Sequence, residues 1–206
     1  MVFEMRFRFY AFWLCAICIA MFLMQIFISG FTENFLLDSS AKVELWRFLT
    51  SIFLHGDLTH LLYNLLALGL FGSILEKLIG NKNFLLVFFL SGIIAGVASF
   101  FFYDSSLGAS GAIFGVIGAL IIVRPTLPVF VFGLPMPIFI AGILWAGGDI
   151  IGVFVPSNVA NLAHLAGLAF GLILGFFYRK PSERKNKLIM DEGLINSWED
   201  RYMGIL

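Results

Sequence analysis

Residues 110–123 read SGAIFGVIGALIIV, an uninterrupted apolar run that begins with Ser110 and stops at the basic Arg124. A helix rises about 1.5 Å per residue, so this run covers only roughly 21 Å of a hydrocarbon core that is about 30 Å thick. If the run is a membrane helix, its first residue therefore lies inside the bilayer. The 104–109 loop before it must then dip inward.

The composition of the whole chain is that of a membrane protein. Of its 206 residues 60% are hydrophobic, and the mean hydropathy of +0.98 is far above the range of soluble globular proteins. The 13 Lys and Arg balance the 13 Asp and Glu, which leaves no basic surplus for binding phosphates. We therefore expect an integral membrane protein whose surroundings are a lipid bilayer, with no nucleic acid partner.

Further apolar runs flank the first one, and about 20 apolar residues suffice for a helix to cross the hydrocarbon core. The runs predict six membrane helices, near residues 9–29, 58–76, 84–103, 110–123, 136–154 and 160–178. We predict an all-α membrane protein with a membrane domain over residues 1–178 and a short cytosolic tail over residues 179–206.

The basic residues predict the orientation of these helices. They occupy every second connection, as Arg6 and Arg8, Lys77 and Lys82, Arg124, and the group Arg179, Lys180, Arg184, Lys185 and Lys187. The connections on the other side contain only two basic residues, Lys42 and Arg47. Because basic residues favour the cytoplasmic side, both termini are expected in the cytoplasm.

Polar side chains inside membrane helices are costly and mark function. Those that we single out are His60 and Asn64 in the second predicted helix, Ser110 at the start of the fourth and His164 in the sixth. Counting back from the basic residue that ends each helix places Asn64, Ser110 and His164 roughly 20 to 22 Å from the cytoplasmic end. They should share one layer, about 10 Å below the outer surface.

The surroundings of Ser110 and His164 suggest that the two side chains meet. Ser110 follows Gly108 at a loop-to-helix junction, where exposed amides of a helix N-terminus could stabilise an oxyanion. Gly167 and Gly171 lie on the face of His164 and allow close helix packing. The matching stripe on the fourth helix is expected to be Ser110, Phe114 and Gly118, which would bring the imidazole near the hydroxyl.

His60 and Asn64 are spaced i, i+4 and so present two donors to one cavity, where they could hold an oxyanion. Each of these residues also has a simpler explanation. Ser110 could be only a helix cap, and His164 could donate to a backbone carbonyl. His60 and Asn64 could bond neighbouring helices or form an ion path in a transporter.

Other polar residues have less specific expectations. Cys15 and Cys18 are the only cysteines and lie in an apolar run, so we expect neither a disulfide framework nor a metal site, and no cofactor. His55 is expected to serve the structure of its loop. Glu76 is expected to be a tether at the cytoplasmic end of the second helix rather than a catalytic acid.

Taken together, four motifs resemble the rhomboid family of intramembrane serine proteases. They are Trp46-Arg47, His60-Leu61-Leu62-Tyr63-Asn64, Gly108-Ala109-Ser110-Gly111 and Ala163-His164-Leu165-Ala166-Gly167. Their order and spacing match, and the resemblance covers nearly the whole chain after the first helix. It implies a six-helix rhomboid-like bundle with a short fourth helix.

The resemblance also implies a mechanism. Ser110 would be the nucleophile and His164 the general base and acid, as a dyad without a third acidic member. The Ser110 N–H and the side chains of His60 and Asn64 would form the oxyanion site, and Phe114 would stack on His164. The loop that contains Trp46 and Arg47 would lie partly in the outer leaflet.

The implied substrates are single-pass transmembrane proteins, cut near the outer end of their helices where small residues weaken the helix. They would enter past the fifth helix, whose Gly142, Gly147 and Gly148 suggest loose packing. A prokaryotic plasma membrane is the expected location. The alternatives are a non-catalytic rhomboid-like binder of membrane clients and a transporter, although the sequence lacks the inverted repeats of many transporters.

Overall fold

The computed structural model describes residues 8–131, 133–155 and 159–179, together with Arg201. The predicted cytosolic tail, 179–206, lies outside the described residues except for Arg179 and Arg201. The long helices of the protein are α1 (Tyr10–Phe27), α2 (Leu58–Ile79), α3 (Asn81–Phe102), α4 (Ser110–Val123), α5 (Ile138–Val153) and α6 (Asn161–Tyr178). A π-helical segment interrupts α2 at Leu68–Gly72.

Within the described part of the chain, four of these helices are long and apolar enough to cross a membrane, namely α1, α2, α3 and α6. The other two are shorter, with 14 residues in α4 and 16 in α5. That α4 and α5 also lie within the bilayer, and that both termini are cytoplasmic, remain predictions.

Two small antiparallel sheets accompany the helices in a protein that is otherwise mostly helical, as expected. The strands β1 (Leu37–Asp38) and β2 (Ser105–Ser106) pair with each other, and β3 (Pro128–Val131) pairs with β4 (Leu134–Pro137). The predicted helix 136–154 therefore begins only at Ile138, because the two residues before it belong to β4. A two-stranded sheet has only edge strands, where prolines are tolerated.

The long 30–57 loop is organised around Arg47, which is buried. Its guanidinium Nη1 donates to the carbonyls of Glu33 and Leu36, both at 2.8 Å, and its Nε donates to the Glu44 carboxylate. These bonds satisfy carbonyls at the C-terminal end of the short helix Phe31–Phe35, where the last carbonyls have no intrahelical partner. Arg47 thus fixes the shape of the loop.

This loop also holds the segment that precedes α4. β1 pairs with β2, and the backbone N–H of Gly108 donates to the Ser51 carbonyl at 2.9 Å. Two separate backbone contacts therefore fix the approach to Ser110 from the side of the long loop.

Glu76 anchors α1 to α2, in agreement with its expected role as a tether. Its carboxylate is 1% exposed and accepts the backbone N–H groups of Tyr10 and Ala11, each at 3.0 Å. These are first-turn amides of α1 that have no partner within their own helix. A carboxylate at a helix N-terminus also interacts favourably with the helix dipole.

Helix α4 lies at the centre of the protein and packs tightly on α6. A Cβ at Gly167 would collide with the Gly111 carbonyl, and a Cβ at Gly171 would collide with the Gly115 carbonyl. The closest approach, a seam between the two helices, therefore runs through Gly111 and Gly115, one residue on from Ser110 and Phe114 of the expected stripe, whose side chains still contact His164 of α6. Ser110 and Phe114 lie beside this seam.

Candidate active site

Ser110 is the first residue of α4, and its hydroxyl faces α6. The helix cap position is occupied by Ala109, and no side chain makes a cap hydrogen bond there. The Ser110 Oγ lies 2.7 Å from the His164 Nε2, a normal length for a strong hydrogen bond from a hydroxyl. Ser110 is therefore not a helix cap, and the packing of α4 on α6 does bring the hydroxyl and the imidazole together.

The His164 ring is held on its face and on its far edge. It stacks on Phe114 with ring centroids 4.5 Å apart and an angle of 5° between the planes, as the resemblance implied. Its Nδ1 lies 3.1 Å from the Asp149 Oδ1 on α5. The alternative that His164 donates to a backbone carbonyl is thus wrong, because Nδ1 faces a carboxylate.

Asp149 is the residue that the sequence analysis missed. The resemblance implied a pair without an acidic member, yet the structure places a carboxylate that is 8% exposed directly on His164. The signal was present, because Asp149 is the only charged residue between Arg124 and Arg179. An ionisable side chain in so long an apolar stretch marks a functional site by default.

His60 reaches the segment before Ser110 from α2. Gly108 has a φ of +122°, and a Cβ there would lie 2.8 Å from the His60 Nε2, so only glycine fits. Asn64 is 5% exposed, and its side-chain Nδ2 donates to the His60 carbonyl at 2.8 Å. That bond uses one of the two N–H groups of the Asn64 amide and leaves one for another acceptor.

His55 lies behind His60, with the two ring centroids 5.1 Å apart. It is 1% exposed, and its backbone N–H donates to the Gln25 Oε1 at 2.9 Å. Burial, with a smaller contribution from His60, lowers the pKa of His55 to about 4. His55 is therefore neutral at neutral pH and holds its loop to α1, as expected.

Trp46 and Arg47 are not brought into this cluster. Trp46 is 52% exposed, whereas Arg47 is buried within its own loop. The loop that contains both residues supports the site only indirectly, because it holds Gly108 through the Ser51 carbonyl.

A cavity of about 40 Å³ adjoins Ser110. Its walls are mostly small residues, including Ser51, Ser99, Gly108, Gly111 and Ala163. Since one water occupies about 30 Å³ in the liquid, the cavity has room for a water molecule or a small side chain.

Ser110, His164 and Asp149 form a hydrogen-bonded chain of the kind that can activate a hydroxyl as a nucleophile. A hydroxyl, an imidazole and a carboxylate follow one another through hydrogen bonds, and the hydroxyl belongs to the first residue of a helix, where the first amides lack intrahelical partners. Among the described residues no group of three or more His, Cys, Asp or Glu could hold a metal ion.

Known proteins resemble this chain over most of its length. The family profile described as Rhomboid domain matches residues 42–181. Rhomboid protease GluP of Bacillus subtilis (strain 168) is 39% identical over 150 residues, which are 72% of this chain and 27% of GluP. Rhomboid protease GlpG of Yersinia pseudotuberculosis serotype I (strain IP32953) is 28% identical over 176 residues, 82% of this chain and 62% of GlpG.

The matched region is therefore about a quarter of GluP and less than two thirds of GlpG. Within this chain, however, the family profile covers more than half of the residues and includes His60, Ser110, Asp149 and His164. The profile confirms the resemblance that the four motifs suggested: this chain belongs to the rhomboid family.

Proposed function

We propose that this protein is an intramembrane serine endopeptidase with Ser110 as its nucleophile and His164 as its general base and acid. The observation that carries the proposal is the 2.7 Å hydrogen bond between the Ser110 Oγ and the His164 Nε2. The names of its relatives, rhomboid proteases GluP and GlpG, support the same activity.

In the proposed reaction the Ser110 Oγ attacks the carbonyl carbon of the scissile bond while its proton passes to the His164 Nε2. His164 then returns this proton to the leaving amine as the C–N bond breaks, which leaves an ester on Ser110. A water molecule gives a proton to His164 and attacks the ester. The second product is released as a carboxylic acid when His164 returns the proton to the Ser110 Oγ.

The negative oxygen of the tetrahedral intermediate needs donors close to Ser110. We assign this role to the Ser110 backbone N–H and to the side chains of His60 and Asn64. First-turn amides of a helix have no intrahelical partner and lie at the positive end of its dipole, which favours an anion there. The position of the His60 ring against Gly108 supports its part in the same site.

The membrane setting follows from the apolar helices. A rhomboid-family chain with helices long and apolar enough to span is an integral membrane protein. We propose that all of α1 to α6 lie in the bilayer with both termini in the cytoplasm, in a prokaryotic plasma membrane. Ser110 then starts its 14-residue helix below the outer surface, in a site open to water from outside.

The proposed substrates are single-pass transmembrane proteins cut near the extracytoplasmic end of their helix. The helix must open there, because its carbonyls are otherwise bonded within the helix. Entry beside α5 is supported by Gly147 and Gly148, since a Cβ at either would meet no atom within 4 Å. Gly142 does not support it, because a Cβ there would collide with the Ile121 side chain, so the expected loose packing is wrong at that position. The small cavity beside Ser110 favours small side chains near the cleaved bond.

The test is cleavage of a single-pass reporter protein by the purified protein in detergent. Ser110→Ala and His164→Ala should each lower the rate by a factor of about 10³ or more. Equal cleavage by these variants and the wild type would refute the proposal. Folded protein that neither cleaves nor reacts with a fluorophosphonate would favour the non-catalytic client binder.

A further inference from the structure

We infer that Asp149 is a positioning residue for the Ser110–His164 pair. Its carboxylate holds the His164 imidazole in the tautomer and orientation that direct Nε2 at the Ser110 hydroxyl. The inference rests on the proposed function and adds a third member to the site.

The placement of Asp149 requires a partner. It is the only charged residue of α5, a helix that is otherwise apolar, and it is 8% exposed. A carboxylate in such surroundings is costly unless it is paired. Its Oδ1 lies 3.1 Å from the His164 Nδ1, while its Oδ2 has no hydrogen-bond partner among the described residues. His164 is thus the hydrogen-bonding partner that the described structure provides.

A second contact between α5 and α6, from the Gly152 backbone to the Asn161 side chain, supports this one. Gly152 follows Asp149 by one turn, and Asn161 precedes His164 by one turn. A Cβ at Gly152 would lie 2.6 Å from the Asn161 Oδ1, so the two helices approach closely at this second point as well. The second contact lies one turn later in α5 but one turn earlier in α6, so the two helices are antiparallel here. The Asp149–His164 contact is therefore part of the helix packing.

The three neighbours of the His164 ring act on different parts of it. Phe114 lies on its face, Ser110 at Nε2 and Asp149 at Nδ1. When Nδ1 carries the proton, the Nδ1–H group donates to the carboxylate, and Nε2 is free to accept the hydroxyl proton. When Nε2 takes that proton, the resulting imidazolium faces the Asp149 carboxylate, whose negative charge stabilises it.

The experiment compares Asp149→Asn with the wild type, because the amide keeps the shape and loses the charge. An amide N–H can also bond to Nδ1 and favour the wrong tautomer. We expect kcat and the rate of fluorophosphonate labelling to fall by about 10 to 10⁴-fold, with KM within about 2-fold. Asp149→Glu keeps a carboxylate and should restore part of both rates.

Glu76→Gln is the matched control. It neutralises another buried carboxylate, which belongs to α2 and accepts the first amides of α1 instead of contacting His164. It should lower thermal stability and leave kcat unchanged. An unchanged kcat in Asp149→Asn would overturn the inference, as would an equal fall in Glu76→Gln. If Ser110→Ala cleaves as well as the wild type, the proposed function itself fails.

A measurement on the wild type decides the case even if Asp149→Asn does not fold. Nitrogen-15 NMR of labelled histidines, assigned with His164→Ala, reports which ring nitrogen of His164 carries the proton. The inference predicts the proton on Nδ1 and none on Nε2 at neutral pH. The opposite tautomer would overturn it.

Discussion

His164 is the residue on which the site depends, since its imidazole joins Ser110, Phe114 and Asp149. Each neighbour constrains a different degree of freedom of one ring. Phe114 fixes the plane, and the two polar neighbours fix the direction of the two nitrogens. In such a site a small displacement of the ring weakens the approach of Nε2 to the hydroxyl.

Removal of the stacking ring tests this constraint. Phe114→Leu keeps an apolar side chain but loses the flat surface under His164, so kcat should fall by about 10-fold or more through lost orientation. Phe114→Tyr keeps the ring and should retain most of the activity. Kinetics on the reporter substrate measure both variants, and a kcat for Phe114→Leu equal to that of the wild type would contradict the role of stacking.

Gly108 permits a comparison between backbone strain and contact with His60. Gly108→Ala should lower the free energy of unfolding by about 1 to 3 kcal/mol, because L side chains rarely adopt its φ of +122°. It should also lower kcat, since the new Cβ would displace the His60 ring. Thermal denaturation and reporter kinetics measure the two effects separately.

Gly133→Ala is its control. Gly133 also has a positive φ, +80°, but a Cβ there would meet no atom within 4 Å. Gly133→Ala should also lower the free energy of unfolding through backbone strain, but it should leave kcat unchanged. An equal fall in kcat in both variants would show that the contact between Gly108 and His60 does not explain the loss of activity.

Some residues of the site could be predicted from sequence and others could not. Ser110 and His164 were predictable because polar residues in apolar runs are rare and their surrounding motifs are specific. Asp149 was equally visible as an isolated charge but belongs to none of the four motifs. The bonds from Arg47 to loop carbonyls follow from the three-dimensional path of the loop, which no local pattern reveals.

At the scale of helices, the seam between α4 and α6 sets the distance between Ser110 and His164. Spacing of i and i+4 shows which residues share a face, but it does not show how far the helix is rotated. Gly111 and Gly115 lie one residue from Ser110 and Phe114, a rotation of about 100°. That rotation explains why Ser110 and Phe114 reach α6 through their side chains, whereas the closest backbone approach runs through the two glycines.

The seam should be sensitive to a single methyl group. Gly171→Ala places a Cβ against the Gly115 carbonyl, so the helices must separate and the free energy of unfolding should fall by about 1 to 3 kcal/mol. Gly147→Ala on α5 meets open space and should be neutral or stabilising by up to about 1 kcal/mol. Thermal denaturation in detergent measures both. Equal stability of the two variants would contradict the packing.

The small sheets were beyond local prediction for a different reason. β1 and β2 are two residues each and pair across a large separation in the chain. Such short strands have no periodicity to detect, and their pairing depends on how the long loop folds back. The β3–β4 hairpin lies in a proline-rich stretch, and prolines argue against a strand except at the edge of a sheet.

For the molecule as a whole, His55 connects stability to pH. Burial lowers its folded-state pKa from the ordinary value of 6.5 to about 4, and His60 contributes in the same direction, while the Phe53 backbone and Asp57 oppose the shift. The unfolded state therefore binds a proton more readily, and stability is lost as the pH falls from about 6.5 toward 4. At pH 4.5 the loss from this residue should be about 2 kcal/mol.

His55→Asn removes the titrating ring and should flatten that part of the pH dependence. Melting temperatures between pH 7 and pH 4.5 test this, with the variant and the wild type measured in one detergent. The wild type should lose more stability than the variant over this range. Parallel curves would show that His55 is accessible to protons in the folded state.

The proposed activity requires that Ser110 is an activated nucleophile. The most direct measurement is labelling of the intact protein with a fluorophosphonate, followed by mass spectrometry to locate the adduct. The account predicts an adduct on Ser110 of the wild type and labelling reduced by a factor of about 10³ or more in His164→Ala. An adduct on another serine, or equal labelling of Ser110 without His164, would contradict it.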